Sequence, residues 1–518
     1  MGIHGTERKL FLGVRSLLEL KWDGKDEALK VSEETKIQLL EFDKNLSFGE
    51  KNSGNMIVQG DNLEVLKSLL PFYGGQVKCI YIDPPYNTNA AIENYSDNFP
   101  HSDWLSMMYP RLELLQEFLS EDGAIFISID DTEQAYLKVI CDEIFTRKNF
   151  VANFSWRKRT AKSDVPHGIS QDCENILCYA NEKFLGRLKG KERKYYLTED
   201  FPNRAWRYHD LTKQTTAAER PNSFFTIVNP KTGEKFPASK LRTWAITEET
   251  FKEYFLSDRI IFPGDYDFLK ISKPVLRYWK DDDIKKAREN FGLVAASTFL
   301  PAEVGMSQDG TKEITEIFGE KKFSFPKPSS LIRHLISIAT LTDKNSIILD
   351  AFAGSGTTAH AILKLNESDG GNRKFILIED KDYCMTITAE RVRRVGGSFD
   401  FYRLGAELTD SEGKINASVT FEQLANFVWF SATKTPYLEQ KNSPLLGIYN
   451  GTAIYLLYNG ILKDKSVKGG NVLTKKILSA LPKYDGEKII YGSACRIDEN
   501  FLKENKIIFR QIPKELNL

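Results

Sequence analysis

Cysteine and histidine are scarce in this chain, and nothing in it approaches a long apolar run. Cys79, Cys141, Cys173, Cys178, Cys384 and Cys495 lie scattered through 518 residues with no close C-x-x-C pair. That excludes the common zinc modules and a disulfide-stapled fold, and leaves the reduced thiols of a bacterial-type cytoplasmic protein. His101, His334 and His360 have no metal-ligand spacing between them and read as structural, so no metal site is expected. No stretch reaches the roughly 18 apolar residues that a membrane helix needs, and the first residues lack the charged-then-apolar order of a signal peptide. No membrane partner is expected. Gly2 and Thr6 fit a myristoylation pattern, but one with so few fixed positions that chance accounts for it. Net charge is missing too: Lys+Arg and Asp+Glu balance at 71 each, so any hold on a polyanion must come from local clusters.

What is present is an α/β rhythm. "MIVQG", the helical "DNLEVLKSLL" and "VKCIYI" close a strand, helix, strand unit within about 27 residues, the size of a βαβ unit. "DWLSMMYPRLELLQEFL" reads as helix on both sides of Pro110, with Met107 and Met108 as packing residues, and "GAIFISIDD" as another strand. Continuous rather than alternating apolar strands suit a parallel sheet covered on both faces. Residues 186–300 break the rhythm with charge, scattered aromatics and turn chemistry; it returns in "SIILDAF", "AGSGTT", "AHAILKL" and "KFILIED". The expected organisation is an N-terminal extension at 1–50, two halves at 51–185 and 301–400 of one discontinuous sheet, an insert at 186–300, and a C-terminal domain at 401–518.

Two stretches carry chemistry. In "IILDAFAGSGTTAH" a strand ends at Asp350, and Gly354 and Gly356 bracket a tight turn that lets backbone approach a ligand. The lysine of a phosphate-binding P-loop and the third glycine of a dinucleotide fingerprint are both missing. A ligand with an amine and a ribose remains, such as S-adenosylmethionine, with Asp350 toward the ammonium and Glu379, at the end of the next strand, toward the ribose hydroxyls. A structural glycine turn is the plain alternative. In "KCIYIDPPYNT" a buried strand runs into Asp83-Pro84-Pro85-Tyr86. Two prolines fix the backbone and remove donors, so a carboxylate and a carbonyl stand together as acceptors for an exocyclic amino group, beside a flat ring on which a purine can stack.

Together these motifs resemble those of amino-methylating DNA methyltransferases: "DPPY" is similar to the catalytic motif and "DAFAGSGTT" to the cofactor motif, which follows about 270 residues later as in the β group of these enzymes. "LKWDGK", "GDNLEVLKSLLP", "YIDPPYNT", "FISIDDTEQ", "EVGMSQDGTKE", "FAGSGTTAHAILKLN" and "GGNRKFILIE" narrow the resemblance to the Mod subunit of type III restriction–modification systems and adenine-specific relatives, over roughly residues 18–380. The resemblance implies a Rossmann-like S-adenosylmethionine-dependent sheet with an inserted target-recognition region. It implies transfer of a methyl group to N6 of an adenine flipped from double-stranded DNA, with Asp83, Pro84, Pro85 and Tyr86 catalytic. Asp61, Lys327, Asp350, Phe352, Gly354, Gly356, Thr357 and Glu379 would hold the cofactor. A homodimer and a helicase-nuclease restriction partner are implied as well, although a stand-alone adenine enzyme, an N4-cytosine enzyme, a protein or RNA methyltransferase and a noncatalytic recognition subunit stay open. For DNA phosphates the local clusters are Arg157, Lys158, Arg159 and Lys162 in "SWRKRTAK", and the "KLRTW" segment.

Overall fold

A computed structural model describes residues 19–50, 53–88, 97–160, 168–435, 437, 443–458 and 471–516. Gly2, Thr6 and Lys162 lie outside the described residues. The chain divides into two compact units, residues 187–295 and the remainder.

The larger unit is built on a nine-stranded sheet. Its strands, numbered along the chain, are β1 (Gln38–Phe42), β2 (Met56–Gln59), β3 (Val77–Ile82), β4 (Leu119–Ile129), β5 (Phe150–Arg157), β6 (Cys173–Ala180), β7 (Ile347–Asp350), β8 (Lys374–Glu379) and β9 (Asp400–Glu407). The order is β1-β9-β2-β8-β7-β3-β4-β6-β5. From β9 to β4 every neighbouring pair is parallel, while β1 at one edge and β6 and β5 at the other run antiparallel to their neighbours. The sequence accounts for this: every residue of β3 is buried, which a strand flanked on both sides and covered on both faces requires.

The sheet runs past two of the expected boundaries. β1 comes from within the first 50 residues and pairs with β9, which begins at 400, so the N-terminal extension and the start of the C-terminal region complete the edge of the main sheet. A five-residue strand with two exposed positions carries little apolar signal, because only its inner face is buried.

Helices of the larger unit include α1 (Lys25–Glu34), α2 (Asn62–Tyr73), α3 (His101–Phe118), α4 (Gln134–Ile144), α5 (Ser307–Phe318), α6 (Ser329–Thr340), α7 (Thr357–Asp369), α8 (Ala389–Arg394) and α9 (Phe421–Thr433). α3 continues through Pro110 as one helix and buries Trp104, Leu105, Met108, Leu112 and Leu115 in the main core. α9 starts from a capping box in which Thr420 and Gln423 exchange side-chain and backbone bonds, and its Phe430 joins the same core. Beyond it, strands Leu445–Tyr449, Thr452–Leu456, Glu487–Gly492 and Ile507–Gln511 form a separate four-stranded sheet.

The smaller unit holds a four-stranded antiparallel sheet around Trp206 and Trp279, with Phe201–Asp210 its longest strand. Arg277 is buried there against the rings of Phe201 and Trp206, at 4.5 and 4.8 Å. Among the described residues no helix is long and apolar enough to cross a membrane.

Candidate active site

Four neighbouring parallel strands, β2, β8, β7 and β3, point their carboxyl ends the same way, and each delivers an acid there. These are Asp61 just after β2, Glu379 ending β8, Asp350 ending β7 and Asp83 just after β3. All four line one cavity of about 220 Å³. That is the end of a parallel sheet where ligands sit in open α/β folds.

At Asp83 the backbone leaves the strand between fixed points. Trp104 Nε1 donates to the Pro85 carbonyl at 2.8 Å, and the chain turns at Asn87, whose φ is 62°. Asn87 is tied on every side: its amide donates to Asp97 at 2.8 Å, its Nδ2 to Glu133 at 2.8 Å, and its Oδ1 accepts from the Phe99 amide at 2.8 Å. His101 closes this network on Glu133 at 2.8 Å. Asn87 is thereby tied to the segment leading into α3 and to Glu133.

Lys327 binds both oxygens of Asp83, at 2.8 and 2.9 Å, and its ammonium stands 4.8 Å from the centre of the Tyr86 ring. The Tyr86 hydroxyl bridges Asp83 Oδ1 at 2.9 Å and Glu174 Oε2 at 3.1 Å. Glu174 in turn meets Lys158 at 3.2 Å and Lys327 at 3.6 Å. Burial pushes the Asp83 carboxyl above its ordinary range against the pull of Lys327. Burial also raises Glu174, but the ammoniums of Lys327 and Lys158 outweigh it and hold that carboxyl below the usual range.

On the other side of the cavity, the turn 353–356 takes left-handed backbone at Gly354 (φ 51°) and Gly356 (φ 77°). A Cβ on Gly356 would stand 3.0 Å from the Thr388 carbonyl, so both geometry and space select glycine. The Asp350 carboxylate accepts the Phe352 amide at 3.0 Å and the Thr358 hydroxyl at 2.5 Å. Glu379 accepts the Gly354 amide at 2.8 Å. Burial is the leading cause that pushes Asp350 up to about 7 and Glu379 to about 8. Asp61 caps α2 through the Leu63 amide at 2.9 Å and pairs with Arg111 at 3.0 Å. Asn62 Nδ2 reaches the Ala351 carbonyl at 3.0 Å and so fixes α2 to the glycine turn.

Of the residues singled out in the sequence, Asp61, Asp83, Pro85, Lys327, Asp350, Phe352, Gly354, Thr357 and Glu379 all line the cavity. Tyr86 bonds Asp83 but does not line the cavity, nor does Pro84, and Gly356 sets the turn. Arg157 is exposed at the end of β5, Lys158 is paired with Glu174, and Arg159 is partly buried. In the smaller unit, Arg242 of "KLRTW" pairs with Asp210 at 2.9 Å.

Residues that no motif pointed to support the site. Glu174 is the one charged residue of β6, at the head of its apolar run, and that lone charge is the signal that could have found it. Fully buried Arg391, on α8, donates to the hydroxyls of Ser355 and Thr357 at 2.9 and 2.7 Å and pairs with Glu313 at 3.2 Å. Glu313 also accepts the Ser329 hydroxyl at 2.6 Å, two residues past Lys327. One buried ion pair therefore joins the glycine turn to the segment that carries Lys327.

The family model for DNA methylases matches residues 77–390, the span that holds both halves of this cavity. The Mod subunit of the type III restriction-modification enzyme StyLTI of Salmonella typhimurium is 33% identical over 406 residues, 69% of this chain and 58% of that protein. The type II methyltransferase M.KpnI of Klebsiella pneumoniae is 30% identical over 371 residues, 65% of this chain and 82% of its own. The solved structure of PvuII DNA methyltransferase (cytosine-N4-specific) is 14% identical, covering 68% of this chain and 98% of that one, with a TM-score of 0.35. The chain spans about 58% to 64% of the length of three type III Mod relatives. With more than half of its length inside the family model and M.KpnI matched over most of its own chain, the protein belongs to the DNA methylase family.

Proposed function

We propose that the protein methylates the N6 amino group of an adenine extruded from double-stranded DNA, with S-adenosylmethionine as donor. The observation that carries this reading is the meeting of Asp83 and Asp350, from adjacent parallel strands, on one cavity. The donor fits the residues present: a cation with a ribose suits a cleft lined by Asp61, Asp350, Glu379 and Asp380, with open backbone at Gly354. When bound, the cofactor supplies an electrophilic methyl group.

The chain's own part is orientation and exclusion of water. Asp83 accepts one hydrogen of the amino group and the Pro84 carbonyl the other, which aims the nitrogen lone pair at the methyl carbon. Tyr86 offers its ring to the base, whose unstacking costs a few kcal/mol. Arg157 and Arg159 contact phosphates. Likeness to the type III Mod relatives supports a role as the modification partner of a restriction subunit; a homodimer is proposed on the motif resemblance alone.

By resemblance to the family, in which Asp at the first position of the catalytic motif goes mostly with adenine and Ser with cytosine, Asp83 favours adenine. The purified protein, given tritiated cofactor and DNA of mixed sequence, should leave its label in N6-methyladenine after digestion to nucleosides. Label in N4-methylcytosine would change the base, and no label in DNA would overturn the reading. Asp83→Ala should slow transfer on the order of 10²- to 10³-fold, as loss of a preorganised polar contact does elsewhere.

A further inference from the structure

The two features that the adenine needs, the Asp83 carboxylate and the face of Tyr86, are both occupied by one group. Lys327 holds each Asp83 oxygen and stands over the Tyr86 ring. An amino group cannot take its place on Asp83 while that ammonium stays. A cation there is also unfavourable for the chemistry, because the nitrogen gains positive charge as it takes the methyl group, in a cavity where charges are poorly screened.

We infer that Glu174 is a positioning residue: it is the second seat to which the Lys327 ammonium passes when the adenine amino group takes Asp83. The inference rests on the methyl transfer proposed above. The geometry for the exchange is in place. Glu174 Oε2 is already 3.6 Å from Lys327 Nζ, and the Trp156 ring, 5.8 Å from the same ammonium, faces it on that side. Trp156 and Glu174 are register partners across β5 and β6, so a single edge of the sheet presents both. Lys158 holds the other Glu174 oxygen at 3.2 Å, and Tyr86 fixes Oε2 at 3.1 Å, so the receiving carboxylate does not have to move. Glu174 is buried, and the neighbouring ammoniums keep it ionised and ready to receive the charge. The arrangement couples base entry to the release of Asp83: with no base in the pocket the carboxylate is neutralised, and with one it is free to accept.

The test is a double-mutant cycle in the full-length protein, on DNA carrying the target found by sequencing wild-type products. Glu174→Gln keeps the shape and the Tyr86 contact but removes the charge. In single-turnover methyl transfer it should cost roughly tenfold to a hundredfold in the wild-type background, yet less than about threefold in the Lys327→Met background, where there is no ammonium to rehouse. Glu174→Asp should recover most of the loss. A second readout needs no cofactor: 2-aminopurine at the target position should brighten on binding wild type, brighten less with Glu174→Gln, and brighten fully again with the double variant. Equal costs of Glu174→Gln in both backgrounds would show a merely structural role and overturn the inference. A wild-type protein that transfers no methyl to DNA would overturn the proposed function instead, so the two failures are distinct.

Discussion

Arg391 and Thr357 are joined by a hydrogen bond of 2.7 Å beneath the glycine turn, with the guanidinium wholly buried and its other arm 3.2 Å from Glu313. Burial lowers the Arg391 pKa to about 10, so it stays charged at neutral pH, and its removal leaves Glu313 without its buried partner. Arg391→Met should therefore destabilise the protein by about 3 kcal/mol, read as a lower melting temperature. It should also weaken cofactor binding, because Ser355 and Thr357 lose the group that positions them. Arg391→Lys keeps the charge but not the fork and should fall between the two. An Arg391→Met protein with wild-type melting and cofactor affinity would contradict this account.

Gly310, on α5, lies against the backbone of the segment that presents Lys327. A Cβ there would overlap the Pro326 carbonyl oxygen and stand 2.9 Å from the Lys327 carbonyl carbon. Backbone cannot rotate aside as a side chain does, so Gly310→Ala must move Pro326 and Lys327 or tilt α5. The expected cost in stability is about 1 to 3 kcal/mol. Transfer should fall by more than this stability loss explains, since the displacement is delivered straight to Asp83. Methylation rate measured beside thermal denaturation decides it: a stable and fully active Gly310→Ala protein would show that the contact relaxes without consequence.

The legible parts of the sequence were those where a strand stops abruptly. Asp83 and Asp350 could be read because each ends an apolar run with residues that cannot continue it, and that local conflict marks a site. Their meeting follows from the parallel pairing of β3 and β7, which the continuous apolar pattern already favoured. Lys327 was legible as a residue near the cofactor motif. Its bond to Asp83 was not, because the direction of a long side chain depends on packing from α5 that no local pattern encodes. Arg391 was invisible, and Glu174 left only the faint signal of a charge heading its strand, for a related reason: a buried charge reads as an exposed one until its partners are known, and Tyr86 and Glu313 lie 88 and 78 residues away along the chain. The edge pair β1 and β9 escaped because a half-exposed edge strand carries only part of the apolar signal.

Asn87 should be sensitive in a graded way. Its left-handed backbone favours Asn or Gly, and its side chain bonds Glu133 and the Phe99 amide, at 2.8 Å each. Asn87→Gly keeps the conformation and loses the bonds, whereas Asn87→Ala loses both. Asn87→Ala should cost roughly 2 kcal/mol or more, and Asn87→Gly less. Because this loop carries Tyr86, transfer rates should follow the same order, Asn above Gly above Ala. An alanine variant as active as the glycine variant would remove backbone conformation from the explanation.

Cofactor binding should expel protons. Asp350 is pushed up to about 7 and Glu379 to about 8, chiefly by burial, so both carry part of a proton at neutral pH in the ligand-free protein. Because folding raises these carboxyls from ordinary values of 3.8 and 4.5, and so favours their protonated form, the ligand-free fold loses stability as pH rises from those values, and the loss is complete above about 7 and 8. A cation with ribose hydroxyls reverses the preference, since its ammonium and its O–H donors bind the ionised carboxylates better. Affinity for S-adenosylmethionine should therefore climb between pH 6 and about 8.5 and then level off, in line with the linkage between ligand and proton binding. Calorimetric titration at pH 7 in two buffers of different ionisation enthalpy should show net proton release, and Glu379→Gln should remove part of it. Binding that neither releases protons nor strengthens with pH would mean that the ligand does not meet these two carboxyls.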